Sequence, residues 1–279
     1  MIKLQPAGPW PVAGDPRGEP QPDQHRQKLE AGQRAPLVRK QSRKGEDLMS
    51  TSLQLLCAGG FRAAIERMAP EFEKASGVGL NLSFTTPAKT REWLEAGFPF
   101  DLGIVVGAVL DKARQDGFGF SKNTFKLALS PLGMGVPEHG PNLPVSTLAD
   151  LKASLDELES IALSDPAAGT NVANEVLASA EAAGLTALRA KAVLVHGPGS
   201  IVSAEVAKGL AQSVITLSSE IVPIAGVKFL GVLPAALQSE YAMQVLAADR
   251  PSPEVQALIT FLQGAQAQAA MKTVGLVPC

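Results

Sequence analysis

Three short polar clusters stand where an α/β chain does its chemistry. Gly59-Gly60 precedes Arg62, Thr85-Thr86 precedes Pro87, and Val106 precedes Gly107. Each closes an apolar run and opens a helix-like one. A glycine pair there either lets a ligand approach the backbone or simply makes the turn. A threonine there donates to a ligand or caps the helix. An arginine in the first helical turn clamps a carboxylate or stands in solvent. All three stretches stand where the N-termini of the following helices would point their free N–H groups.

Groups for proton transfer or nucleophilic work are sparse. His196, just before Gly-Pro-Gly, and Glu220, at the end of "SVITLSSE", are the acid/base candidates. Cys57 ends an apolar strand and reads as an inert buried thiol. Asp165 in "SDPAAG" reads as a group that orders its own loop. His25, His139 and His196 are far apart, no HExxH or HxxxH motif occurs, and Cys57 and Cys279 form no CxxC pattern. No metal site is expected from that set, and no cofactor is implied.

The elements that must position these residues follow a simple rhythm. "LQLLCA" (53–58) is an apolar strand. "RAAIERMAPEFEKAS" (62–76) puts Ala64, Ile65, Met68, Phe72 and Ala75 on one helical stripe, closed by Gly77. "VGLNLSF" (78–84) is a second strand, "TPAKTREWLEAG" a second helix, and "FDLGIVV" (100–106) a third strand. Such a βαβαβ unit implies a parallel sheet with right-handed crossovers, and function at the carboxyl ends of its strands. A second unit follows. "FKLALSPLGMGV" (125–136) reads as one extended run, Ser146 as a helix cap, and "SPEVQALITFLQGAQAQAAMKTVG" as one long C-terminal helix.

Composition narrows the classes further. With 46% hydrophobic and 19% charged residues, the 279-residue chain can bury a sizeable core. The net charge is -2 and no basic cluster lies in the folded part, so nucleic acid is not an expected partner. No apolar run reaches membrane-spanning length. Residues 1–48 differ in kind from the rest: they hold 7 of the 21 prolines and no apolar periodicity. That leader reads as a disordered tail, or as sequence upstream of a true start at Met49. It has no apolar core of a signal peptide, so the expected location is the cytoplasm.

The order of motifs resembles the class II periplasmic-binding-protein fold, in particular the molybdate-type solute-binding proteins of ABC transporters. The resemblance rests on "CAGGFRAAIERMAPEFEKASGVGLNLSF", "REWLEAGFPFDLGIV", "IALSDPAAGTNVANEVL" and the C-terminal "SPEVQALITFLQGAQAQAAMKTVGLVP". It implies an α/β architecture of two lobes, each a mostly parallel sheet flanked by helices. Lobe 1 would comprise residues 49–127 and 233–279, and lobe 2 residues 128–232, joined by crossing strands. It also implies a monomer that closes on a small anion between its lobes, and a permease partner if the chain is exported. The implied ligand donors are Gly59, Gly60, Thr85, Thr86, Thr170, Asn171, Ser218 and Ser219, with Tyr241 near the lobe junction. Such proteins carry a serine after the first strand; here Gly59-Gly60 stands there, followed by Arg62. That departure admits an organic carboxylate in place of molybdate. The alternative activity is a cofactor-independent isomerase on the same fold, moving a double bond in an aconitate-like acid through His196 or Glu220.

Overall fold

The computed structural model describes residues 51–117 and 124–279. The proline-rich leader and the Met49 start lie outside the described residues.

The first βαβαβ unit forms where its pattern places it. Strand β1 (Ser52–Ala58) passes through a 3-10 turn (Gly59–Phe61) into helix α1 (Arg62–Ser76). Then come β2 (Gly79–Thr85), α2 (Pro87–Glu95), β3 (Leu102–Val106) and α3 (Gly107–Gln115). β1 runs parallel to both neighbours, with Leu55 opposite Leu82 on one side and Leu102 on the other. A strand with neighbours on both edges and helices over its faces has no solvent side, so its sequence is apolar without alternation. α1 buries Ala64, Ile65, Met68, Ala69 and Phe72, and it ends where Gly77 takes φ 71°. A left-handed residue closes a helix most cheaply when it lacks a Cβ.

Residues 125–136 depart from the single run expected. They form β4 (Thr124–Leu129) and β5 (Leu132–Pro137), which belong to different sheets. Ser130-Pro131 carries the chain between them; proline has no N–H to continue a ladder. The second lobe continues with α4 (Leu148–Glu157), β6 (Ile161–Ser164), α5 (Val172–Ala182), α6 (Ala187–Lys191) and β7 (Ala192–Val195). α7 (Gly199–Ala207), β8 (Ser213–Leu217) and β9 (Val227–Val232) complete it. The chain then returns as β10 (Ala242–Ala247), followed by α8 (Pro253–Gln263), α9 (Ala265–Lys272) and β11 (Val277–Pro278).

The sheets are ordered β11-β4-β10-β3-β1-β2 and β7-β6-β8-β5-β9. Both are mixed, where mostly parallel sheets were expected. The strands by which the chain enters and leaves each lobe, β4 and β10 in one and β5 and β9 in the other, make the antiparallel pairs. Two further expectations are corrected. Thr147, not Ser146, caps α4, its Oγ1 accepting from the Asp150 N–H at 3.1 Å. The C-terminal helix is two helices, because Gly264 is extended at φ -72° and ψ 159°. The first of them packs on α1 through Phe72 and Phe261, whose ring centroids lie 5.5 Å apart.

Candidate functional site

The carboxyl ends of the two strand sets face each other across a cavity of about 410 Å³. Ala58, Thr85 and Val106 bring the ends of β1, β2 and β3 to its wall, and Ser164 and Leu217 bring the ends of β6 and β8. Helices α1, α2, α3, α5 and α7 begin there. α2 is closed by Thr86, whose hydroxyl accepts from the Lys89 N–H. α1, α3, α5 and α7 have no side-chain cap. The first N–H groups of an α-helix have no intrahelical acceptor, so α3, α5 and the Gly59–Phe61 turn ahead of α1 present donors and a positive field to the cavity, while those of α7 are taken by Glu220.

The lobes touch at the cavity. The Tyr241 hydroxyl, at the start of β10, donates to Glu175 Oε2 on α5 at 2.5 Å. Glu175 Oε1 also accepts from Asn171 Nδ2 at 3.0 Å. The Ala88 N–H of α2 donates to the Gly169 carbonyl at 3.2 Å. Burial and the neighbouring Glu175 both push the Tyr241 pKa up, so its phenol stays a donor. Two hydroxyls on the wall are buried and without a partner among the described residues: Ser164 Oγ and Thr170 Oγ1. Ser203 Oγ and Ser213 Oγ, away from the wall, are unpartnered too; Ser164 and Thr170 are the two placed within reach of a bound group.

Among the described residues, Glu220 is the one acid on the wall whose burial is nearly complete, at 6% exposure. Its Oε2 accepts from Thr216 Oγ1 at 3.3 Å, and the N–H groups of Gly199 and Ser200 also donate to it. Gly199 is required for this contact: a Cβ there would lie 2.4 Å from Glu220 Oε2 and 2.1 Å from Thr216 Oγ1. Burial pushes the Glu220 pKa up from 4.5 to about 7, while the three hydrogen bonds pull it down. A carboxyl held more protonated in the fold than in the unfolded chain stabilises the fold fully below the unfolded value. That contribution is lost as pH rises through the folded value. Thermal unfolding should therefore show the wild-type Tm falling between pH 4.5 and about 7 by more than that of Glu220→Gln. Parallel curves would remove this assignment.

Of the residues singled out in the sequence, Gly59, Gly60, Thr85, Thr86, Thr170, Asn171, Glu220 and Tyr241 line this cavity. Thr85 is already engaged, its Oγ1 lying 2.7 Å from Thr90 Oγ1. Arg62, Ser218, Ser219 and His196 are not on the wall. Arg62 points outward, paired with Glu66 at 3.4 Å and stacked 3.7 Å from the Phe84 ring centroid. Its N-terminal place on α1 fixes its backbone, not its side-chain direction. Ser218 Oγ donates to the Gly275 carbonyl at 2.6 Å, and Ser219 Oγ lies 2.8 Å from Ser130 Oγ. Both hydroxyls are used at the crossing between the sheets. His196 is exposed beyond the end of β7. Arg62→Ala should change stability by less than about 1 kcal/mol, the range of exposed pairs and cation–π contacts, and leave ligand affinity alone. Calorimetry on that variant checks it.

Sequence reasoning missed Ser164, Glu175 and Gly199, as well as Arg91 and Lys112 at the α2–α3 side of the wall. Ser164 was within reach, because it ends a strand just as Thr85 does. Arg91 and Lys112 both pair with Asp116. Cys57 is buried, and burial pushes its thiol pKa up, which leaves it an inert core group. Asp165 orders its loop as expected, Oδ1 accepting from the Ala167 N–H at 2.9 Å. Among the described residues, no group of three His, Cys, Asp or Glu is placed to hold a metal ion.

Two α/β lobes with helix ends facing a shared cleft define a solute-binding architecture. The chain belongs to the bacterial extracellular solute-binding protein family, whose profile matches residues 53–277. It is 28% identical over 235 residues to an aconitate isomerase of Pseudomonas sp., covering 82% of this chain and 88% of that protein. The fold is similar to the periplasmic molybdate-binding protein of Azotobacter vinelandii, with TM-score 0.62, 20% identity, and 81% and 98% of the two chains covered. It is equally similar to PEB3 of Campylobacter jejuni bound to L-phospholactate, with TM-score 0.62, 18% identity, and 81% and 99% covered.

Proposed function

We propose that this protein binds a small organic carboxylate in the cleft between its lobes. The carrying observation is the pair of partnerless buried hydroxyls, Ser164 and Thr170, on a wall where α3, α5 and the Gly59–Phe61 turn begin without side-chain caps. Fixed hydroxyls and helix N–H groups hold an anion without a formal counter-charge. The cavity, at about 410 Å³, lies within the roughly 300–1,000 Å³ usual for organic ligands. Its lining adds apolar contacts from Ala58, Val106, Val109, Leu217 and Met243 that a bare tetrahedral oxyanion would not use. That PEB3 is bound to L-phospholactate is consistent with an organic anion in this fold.

A second reading is turnover of that acid, and Glu220 is the observation that favours it. A buried carboxyl that titrates near neutrality in a ligand cavity suits general acid–base work. On an unsaturated tricarboxylate, Glu220 would take a proton from the carbon next to the double bond and return one at the far end of the allylic system. The double bond moves and no net oxidation occurs. The similarity to an aconitate isomerase supports testing this substrate class first.

One experiment separates the readings. The purified chain is screened by thermal shift against molybdate, sulfate, phosphate and a panel of di- and tricarboxylates, and each mixture is followed by proton NMR. A carboxylate that raises Tm with an unchanged spectrum supports binding alone. A carboxylate that raises Tm and converts to an isomer supports turnover. A Tm that responds to molybdate and to no carboxylate overturns the organic-acid reading.

A further inference from the structure

We propose that anion binding in this cleft is coupled to the uptake of one proton by Glu220, which then donates a hydrogen bond to the ligand. The inference rests on the binding reading above, deepens it, and excludes Glu220 as the ionised base of the turnover reading.

The geometry poses the problem that the proton solves. An anion entering this cavity meets two carboxyl groups on the wall, Glu175 and Glu220. Their settings differ. Glu175 already accepts from Tyr241 and Asn171, so both of its oxygens are engaged. Glu220 sits deeper, with Oε2 directed at Thr216 Oγ1 and the start of α7. Oε1 faces the other lobe: a Cβ built on Gly59 would stand 3.7 Å from it. Glu220 thus occupies the N-terminal end of α7 with one oxygen and offers the other to the gap between the lobes. A ligand carboxylate held by the N–H groups at Gly59-Gly60 arrives next to that second oxygen. Two ionised carboxyls that close in a buried site repel, and the pair holds one proton between them.

Among the described residues, no cation stands ready to cancel that repulsion at Glu220. The groups that face it are Thr216 on β8, the Gly199 and Ser200 N–H groups on α7, and the Gly59 backbone. Tyr241, before β10, feels its charge, and Glu175 on α5 lines the same cavity. Arg62, next to the Gly59–Phe61 turn, is turned to Glu66 and Phe84. Arg91 and Lys112 line the cavity from α2 and α3, but both are paired with Asp116. Protonation is the available route. Burial already lifts Glu220 to a pKa of about 7 without a ligand, so the proton is taken up at little cost near neutral pH. The neutral acid keeps its Oε2 acceptor for α7 and gains a donor on the ligand side. It also selects for ligands that carry an acceptor at that point.

The test uses trans-aconitate as probe, because its own carboxyls are ionised throughout the range measured. Titration calorimetry at pH 8 in buffers of different ionisation enthalpy gives the number of protons taken up on binding. The expected result is close to one for the wild type and none for Glu220→Gln, whose amide imitates the protonated acid. The wild-type affinity should fall roughly tenfold from about pH 7.5 to 8.5, and that of Glu220→Gln should stay flat. Glu175→Gln should keep the proton uptake, which separates the two acids. Binding of trans-aconitate with no proton uptake and a flat pH profile in the wild type overturns the proposal and leaves the binding reading standing. Uptake that persists in Glu220→Gln overturns the assignment to this residue. If no carboxylate in the panel binds at all, both the organic-acid reading and this inference fall together.

Discussion

Ser164→Ala should weaken ligand binding by about 1.5–3 kcal/mol, the value of a hydrogen bond to a charged group, which is roughly a 10- to 150-fold rise in Kd. The same change should leave the free protein as stable as before, or more stable by up to about 1 kcal/mol. The two effects have one cause. Ser164 is 1% exposed at the end of β6, and its hydroxyl has no partner among the described residues. Burying an unpaired hydroxyl costs free energy that a methyl group does not. In most cores a buried serine to alanine change removes a bond already made. Here the bond is made only when the cleft is filled. Ser219→Ala is the contrasting control, because its hydroxyl lies 2.8 Å from Ser130 Oγ and its loss should lower stability without touching affinity. Calorimetric titration with the panel's tightest carboxylate, together with denaturant unfolding, reads both quantities. A Ser164→Ala protein that binds like the wild type would remove the hydroxyl from the site and take the carrying observation with it.

Gly199→Ala is expected to cost more stability than any other one-methyl change at the site. Its new Cβ would stand 2.1 Å from Thr216 Oγ1 and 2.4 Å from Glu220 Oε2, and both of those residues are buried. Overpacking of that kind costs about 1–3 kcal/mol, and displacing Glu220 from the α7 N–H groups adds the loss of bonds to a charged acceptor. A total of about 3 kcal/mol is expected in urea unfolding, with the midpoint lowered and the slope unchanged. φ is not the constraint here, since Gly199 opens a right-handed helix; the constraint is the carboxylate lying on its backbone. By contrast Gly77→Ala leaves open space around the new methyl and strains only φ, so its cost should stay near 1 kcal/mol. Equal losses at Gly77 and Gly199 would show that Glu220 does not depend on the α7 end.

How much of this was legible in the chain follows from which facts are local. The apolar run 53–58, the stripe of α1 and its closing glycine fix a strand–turn–helix without reference to distant residues, and that unit formed within a residue of its expected bounds. The rule that α/β sheets work at strand ends then pointed to Gly59, Gly60, Thr85 and Thr86, and the loop frame after β6 to Thr170 and Asn171, all of which line one cavity. Breaks were legible in principle at Gly264 in the C-terminal helix and at Pro131 in the extended run 125–136; the expected lobe boundary after residue 127 falls within that run, but periodicity alone did not divide it into two strands of different sheets.

Side-chain fate was not local at all. Ser164, Thr170, Ser218 and Ser219 are similar hydroxyls, all at the ends of β6 and β8 or in the loops that follow them. The first two are free and the last two are used, because Gly275 and Ser130 come from segments far away in sequence to take them. Arg62 has the right backbone position for a clamp, and Phe84 and Glu66 hold it on the outside. Burial pushes the Glu220 pKa up to about 7, and that burial exists only in the folded chain. The sequence by itself determined the two-lobed α/β architecture and the loops that meet in its cleft, since periodicity and turn residues act over a few positions. Only the tertiary structure decided which polar groups in those loops remain unpaired and which acid is desolvated, since pairing and burial depend on neighbours that the fold brings together.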